Sequence, residues 1–329
     1  LRPFWTAWLL AKALVADPAI APSKAPYASP DTSEDPQASP SLPFRAFAKH
    51  RLVLPSLQSP QLGISAAERG AFLHEALFRI WREVKSSDGL AALSEAAETH
   101  LLEAAVSGAM QHAEHTCEIR GYSLRERLGQ ACWQLEHQLC VEILGHWLNH
   151  ERNRASPFRV VDMEKNQTLQ VADLSLTLRP DRIDELEDGR RSVIDYKTRA
   201  PSRMSWLGDR PQEPQLPLYG LLDSTIHGIA FAELSATDSP KFVALGEDLG
   251  FVEGSGKSLA QQTRGSAATW PELIGRWQAS LEQLAVEFVA GVATVAPRPG
   301  ACDYCDLASL CRINERQTSV DPGALEDAL

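Results

Sequence analysis

Asp181-Arg-Ile-Asp184-Glu-Leu-Glu187-Asp188-Gly189-Arg-Arg-Ser192-Val-Ile194-Asp195-Tyr196-Lys197 is the stretch that decides how this chain folds. It follows an apolar run from Leu169 to Leu178, with Val171, Leu174 and Leu176 between, that reads as a strand ending in Asp181 to Asp184. Ser192 to Lys197 reads as the next strand, and Glu187-Asp188-Gly189 supplies the turn between them. Alternate side chains of a strand share a face, so Asp195 and Lys197 project together while Tyr196 points away. If the hairpin brings Asp181 beside them, two carboxylates and a backbone carbonyl, that of Tyr196, can hold Mg²⁺ or Mn²⁺. Lys197 would then orient or help deprotonate a water and offset charge developing on a phosphate. An isolated Asp-x-Lys is ordinarily a salt bridge at a sheet edge; the second carboxylate and the helix bearing Gln215 and Tyr219 reverse that reading.

Working outward, residues 213 to 223 read as that helix, 227 to 234 and 241 to 245 as further strands, and Trp270 to Val292 as a long amphipathic helix. On the other side, Phe158 to Met163 reads as a strand beginning after Pro157. Earlier still, Phe72, Leu73, Ala76, Leu77, Ile80 and Trp81 recur at helical spacing over Glu68 to Trp81, a helix entered after Gly63 and Ser65 with His74 close to its apolar stripe. Residues 90 to 114 and 123 to 150 repeat the pattern, the second through Leu128, Cys132, Leu135, Leu139, Ile143 and Trp147. The expected class is α/β: a central mixed β-sheet flanked by helices, with a helical N-terminal part. That part takes residues 44–155, the catalytic sheet and its glutamine helix 156–250, and the C-terminal helix with a cysteine cluster 265–329. Residues 1–43 stand apart, 3 to 16 as the remnant of an upstream helix and 17 to 43 as a linker rich in Pro, Ser, Ala and Asp.

The net charge of −11 argues against holding nucleic acid by bulk electrostatics. Basic residues do cluster locally, at Arg45, Lys49, His50 and Arg51 and again at Lys197, Arg199, Arg203 and Arg210, although such clusters are most often solvated faces. No apolar run approaches the ~20 residues that span a bilayer, so a cytoplasmic protein without membrane contact is expected. Six cysteines in a chain of this length are too few and too uneven for a disulfide scaffold.

Asp181, then Ile194-Asp195-Tyr196-Lys197-Thr198, then Gln215-Leu-Pro-Leu-Tyr219 together resemble the PD-(D/E)xK nuclease superfamily, and within it the RecB-type nuclease domain of bacterial AddB-like DNA repair proteins. The resemblance runs from about residue 40 to the C-terminus and includes Pro43-Phe44-Arg45-Ala46-Phe47. It implies a restriction-endonuclease-like core and adds His74, in the context Gly70-Ala-Phe-Leu-His74, to a metal shell of Asp181, Asp195 and the Tyr196 carbonyl. Lys197 would be the catalytic lysine; Gln215 and Tyr219 would support the site and touch DNA. The implied activity is a Mg²⁺-dependent deoxyribonuclease, an exonuclease of recombinational DNA repair acting on single strands or duplex ends. A helicase partner, or a helicase-like region upstream of which this would be the C-terminal nuclease portion, belongs to the same implication. The alternative is a non-catalytic DNA-end-binding or scaffolding subunit; degenerate members lose the Asp or the Lys, and this chain has both. Asp184 either backs the metal-binding carboxylates or pairs with Arg182.

Cys302, Cys305 and Cys311 form C-x2-C-x5-C, a spacing that can place three thiolates on one ion or cluster. The resemblance implies a [4Fe-4S] cluster whose fourth ligand, far upstream, should directly precede Pro43, where Leu42 stands. Leucine cannot coordinate iron, so Ser41, Cys117, Cys132 or Cys140 as substitute, a three-cysteine cluster, a zinc site and a decayed site all stay open. Gly254-Ser-Gly-Lys257-Ser258 lacks the glycine that a phosphate-cradling loop needs at 251, where Phe251 stands, and reads as an ordinary loop.

Overall fold

Ser65 sets the start of the helical part. Its hydroxyl accepts the Glu68 amide while the Glu68 carboxylate takes the Ser65 amide, and this reciprocal cap begins α1 (Ala66–Val84). The stripe read from the sequence, Phe72 through Trp81, is buried as expected. The computed structural model describes residues 48, 63–119, 121–247, 249–252, 257–293 and 307–311. After α1 come α2 (Ser87–Ala91), α3 (Glu95–Ile119), α4 (Leu124–Leu128) and α5 (Gln130–Arg152). Two runs expected as single helices are therefore each divided, the second at Gly129, whose φ of 75° is open to glycine without strain.

The region of period two builds seven strands: β1 (Phe158–Asp162), β2 (Gln167–Val171), β3 (Leu174–Leu178), β4 (Arg182–Leu186), β5 (Arg191–Lys197), β6 (Ile226–Glu233) and β7 (Lys241–Gly246). Five form a mixed sheet in the order β1-β4-β5-β6-β7, and β2 pairs with β3 in a separate two-stranded sheet. The strand expected from Leu169 through Leu178 is thus corrected to a hairpin that turns at Ala172, φ 48°, and Asp173. Gly189 makes the expected β4–β5 turn at φ 83°. Within the sheet only β5 and β6 run parallel. Parallel neighbours need a crossover, which here carries a 3₁₀ turn (Arg203–Trp206) and α6 (Gln215–Gly220). Beyond β7 lie α7 (Leu259–Gln262), capped by Ser258, then α8 (Trp270–Val289) and α9 (Ala308–Cys311).

By internal contacts the chain divides into two units, one of residues 60–169 with 177–280, the other of 1–59, 170–176 and 281–329. The whole Asp181 to Tyr219 stretch lies in the first. There, Ile194 and Tyr196 turn one sheet face into the apolar core built by α1, α3 and α5, with the Tyr196 ring edge-on to Trp147 at 6.3 Å. On the other face, Trp206 packs against Phe231 at 5.4 Å, and its carbonyl accepts the Trp277 indole N–H at 2.7 Å. This mixed sheet flanked by helices is a restriction-endonuclease-like α/β arrangement. No described helix is long and apolar enough to cross a membrane.

Behind β4 and β5 lies a fully buried charge cluster. Arg182 forms a two-pronged pair with Asp184 at 2.6 and 2.7 Å and donates to Glu151 of α5 at 2.7 Å and to the Tyr196 hydroxyl at 3.2 Å. Arg154 bonds the same two carboxylates at 2.9 and 2.7 Å. Burial alone would lower the Arg182 pKa, yet Asp184 and Glu151 hold it well above its ordinary value. Of the two roles open to Asp184, the pairing with Arg182 is the one observed.

Cys117 and Cys140 are buried in α3 and α5, and Cys132 is half-buried. Burial, and then the neighbouring Glu136 charge, push the Cys140 thiol up to about 12. Cys311 ends α9. Residues 1–43 with Ser41 and Leu42, the Pro43–Phe47 motif, Arg45, Lys49, His50, Arg51, Gly254 to Gly256, Cys302 and Cys305 lie outside the described residues.

Asp184→Asn leaves two buried guanidiniums with one carboxylate and is expected to cost roughly 3–5 kcal/mol, read as a lowered urea midpoint. Cys140 should resist iodoacetamide at pH 8 in the native protein and react after unfolding, because alkylation needs the thiolate; mass mapping of labelled peptides checks this.

Candidate active site

Asp181 sits one residue before β4, at the end where Arg182 pairs with Ile194 of β5. Its Oδ2 accepts the Tyr196 amide at 2.8 Å, so the hairpin does bring this carboxylate to the strand bearing Asp195 and Lys197. Those two share a face as the alternation requires, with Lys197 Nζ 2.5 Å from Asp195 Oδ2. Lys197 also lies 5.1 Å from the centroid of the Phe231 ring, which lines its approach.

From the crossover, Gln215 holds both groups. Its amide nitrogen donates to Asp195 Oδ1 and to the Tyr219 hydroxyl, while its oxygen accepts Lys197 Nζ at 3.0 Å. The four-residue spacing puts Gln215 and Tyr219 on one face of α6, and the Tyr219 hydroxyl continues to the Arg179 carbonyl at 3.1 Å. Both side chains are buried, at 3 % and 2 % exposure. That suits support of the carboxylate and the amine rather than contact with a DNA strand.

His74 comes from α1, half-buried at the edge of the apolar stripe. Its Nε2 donates to the Tyr196 carbonyl at 2.7 Å and its Nδ1 lies 3.2 Å from Asp181 Oδ2. The structure adds a residue the sequence reading missed: Glu164, in the loop after β1. Ligand atoms of His74, Glu164 and Asp181 all lie within 4.8 Å of one another, the one such group among the described residues. Glu164 had no recognisable signal beyond being a carboxylate that closely follows a strand. Together with Leu77, Phe78, Trp81 and Met163, these residues line a narrow cleft.

Charges in this cleft shift one another. Burial alone would lower His74, but the Asp181 charge lifts it to about 9. Burial would raise Asp181; His74 and Lys197 hold it below its ordinary value. Asp195 rises to about 6 through burial and then the Asp181 charge, with Lys197 offsetting part. Glu164 rises to about 7 for the same two reasons.

The donor set fits a hard divalent cation. It offers carboxylate oxygens, one backbone carbonyl and one imidazole, a mixture that suits Mg²⁺ or Mn²⁺ better than a thiolate-preferring ion. Asp195 Oδ2 is buried against Lys197 Nζ, so a cation reaching that carboxylate would share it with the amine. Of the expected ligands, His74, Asp181 and the Tyr196 carbonyl are in direct contact, and Asp195 lies beyond them beside Lys197 and Gln215.

Comparison with curated proteins gives no match. A family model for the PD-(D/E)XK nuclease superfamily matches residues 42–312, well over half the chain and the whole of the site just described. Nucleases of this kind are hydrolases that use divalent metals. The paired aspartates and lysine, just before β4 and on β5, thus stand within a matched family: the chain belongs to the PD-(D/E)XK nuclease superfamily.

Proposed function

We propose that this chain is a Mg²⁺- or Mn²⁺-dependent deoxyribonuclease, acting as an exonuclease in recombinational DNA repair. The observation that carries the hydrolytic reading is the gathering of Asp181, Asp195 and Lys197 at the ends of adjacent strands, with Gln215 gripping both Asp195 and Lys197. The DNA substrate follows from family membership. Exonucleolytic action, the repair role and a helicase partner rest on the RecB-type motifs, Gly70 to His74 and Gln215 to Tyr219.

His74, Asp181, Asp195 and the Tyr196 carbonyl would hold the cation. When bound, it would polarise the scissile phosphate and acidify a water. Lys197 is held near Asp195 with its amine over the Phe231 ring, where it can orient the attacking water and offset charge developing on the phosphate. Gln215 fixes the amine and the carboxylate in one geometry, and Tyr219 ties that glutamine back to the backbone that leads into Asp181.

Labelled single- and double-stranded DNA incubated with the protein should be degraded in Mg²⁺ and left whole in EDTA. Asp195→Ala and Lys197→Ala should each slow cutting by at least about a hundredfold while keeping the wild-type circular dichroism spectrum. Metal-independent degradation would sink the metal reading; DNA binding without cutting by wild type would favour the scaffold alternative.

We also propose that Cys302, Cys305 and Cys311 bind an iron-sulfur cluster, on their spacing and resemblance. Iron and sulfide analysis of the purified protein should find both, and stoichiometric zinc without iron would refute the assignment.

A further inference from the structure

Glu164 is held in place with unusual care for a loop carboxylate. The register of β1 against β4 shifts between Val160 and Asp162, and the chain then turns back so that Glu164 takes φ 52°, a left-handed conformation that residues with side chains avoid. Both of its backbone groups are engaged by the segment leading into Asp181. Its amide donates to the Pro180 carbonyl at 3.0 Å, and its own carbonyl accepts Arg179 Nε at 2.8 Å. This backbone clasp brings the Glu164 carboxylate beside that of Asp181, with Arg179 Nε 2.6 Å from Glu164 Oε2 on the solvent side.

Two carboxylates held together repel, and each positive charge beside them offsets part of that repulsion. The Arg179 side chain is 52 % exposed, so much of its charge is screened by water and offsets only part of that repulsion. A divalent ion is the natural complement, since hard cations bind several carboxylate oxygens at once. Building on the metal-dependent nuclease reading, we propose that Glu164 is a further protein ligand of the cation, together with His74 and Asp181. The site would then draw ligands from α1, the β1–β2 loop and the start of β4, in addition to β5.

Mn²⁺ titrated into the full chain without DNA, followed by electron paramagnetic resonance, reads the site apart from cutting. Glu164→Gln is expected to weaken Mn²⁺ binding at least about tenfold, and Glu164→Asp to recover part of the loss. Arg179→Ala removes a nearby positive charge but keeps the carboxylate, and should bind Mn²⁺ no more weakly than wild type. A melt in EDTA establishes that each variant is folded, and Glu164→Asp carries the comparison if Glu164→Gln is not. Unchanged affinity in the Glu164 variants, or an equal loss in Arg179→Ala, overturns the ligand role. Asp181→Asn separates the two levels of the argument. If it loses Mn²⁺ while Glu164→Gln retains it, only the role of Glu164 falls; if it binds like wild type, or wild type binds none, the metal reading falls as well.

Discussion

The ion pairs of Arg182 with Asp184 and Glu151 are made out of reach of water, each side chain at most 1 % exposed. Removing such groups from water costs several kcal/mol per ion, and the cost is met only when every charge has well-placed partners. Arg154 supplies the second positive charge and the cluster is balanced, two guanidiniums against two carboxylates. A balanced buried cluster tolerates little displacement, so α5, β4 and β5 have one mutual arrangement. Arg182 follows Asp181 directly, and the Tyr196 hydroxyl is bonded to Arg182 while the Tyr196 amide and carbonyl face Asp181 and His74. The cluster therefore anchors the two peptide units that carry the site from behind.

The parallel pairing of β5 with β6 imposes the second constraint. It requires a crossover, and the crossover returns over the face of β5 that presents Asp195 and Lys197. Gln215 arrives there as a consequence of topology, and Gly220 lets α6 sit close: a Cβ at that position would stand 3.3 Å from the Trp277 ring. Helix α1 approaches from the opposite face and meets the strand at its backbone, through the Tyr196 carbonyl. The site is thus assembled edge-on at the end of a strand, with support from both layers.

Much of this was legible because it depends on period and spacing. The alternation across Ser192 to Lys197 placed Asp195 and Lys197 together, Glu187-Asp188-Gly189 marked the turn, and the four-residue interval placed Gln215 with Tyr219. What was not legible depends on individual backbone torsions. The β2–β3 hairpin turns at Ala172 and Asp173 with no glycine or asparagine to signal it, so an alternating run looked continuous. Gly129 divides a helix whose apolar spacing alone continues across it. Glu164 reaches the site only through a register shift and a left-handed residue, neither of which leaves a mark in residue type.

The electrostatics of the cleft explain why these particular groups belong together. Asp181, Asp195 and Glu164 face His74, Lys197 and Arg179, yet the balance is not that of the buried cluster behind them, since Arg179 is half in solvent. The acids divide accordingly. Asp181, closest to His74, stays below its ordinary value, whereas Asp195 rises to about 6 and Glu164 to about 7. The imidazole rises to about 9 on the strength of the same carboxylate charge. Negative charge here is met partly by bound protons, and a divalent cation meets the same charge by displacing them. The structural cluster satisfies its charges permanently with guanidiniums in a dry interior. The cleft, built on the next residues along the same strands, leaves charge to be satisfied by a group that arrives from solvent.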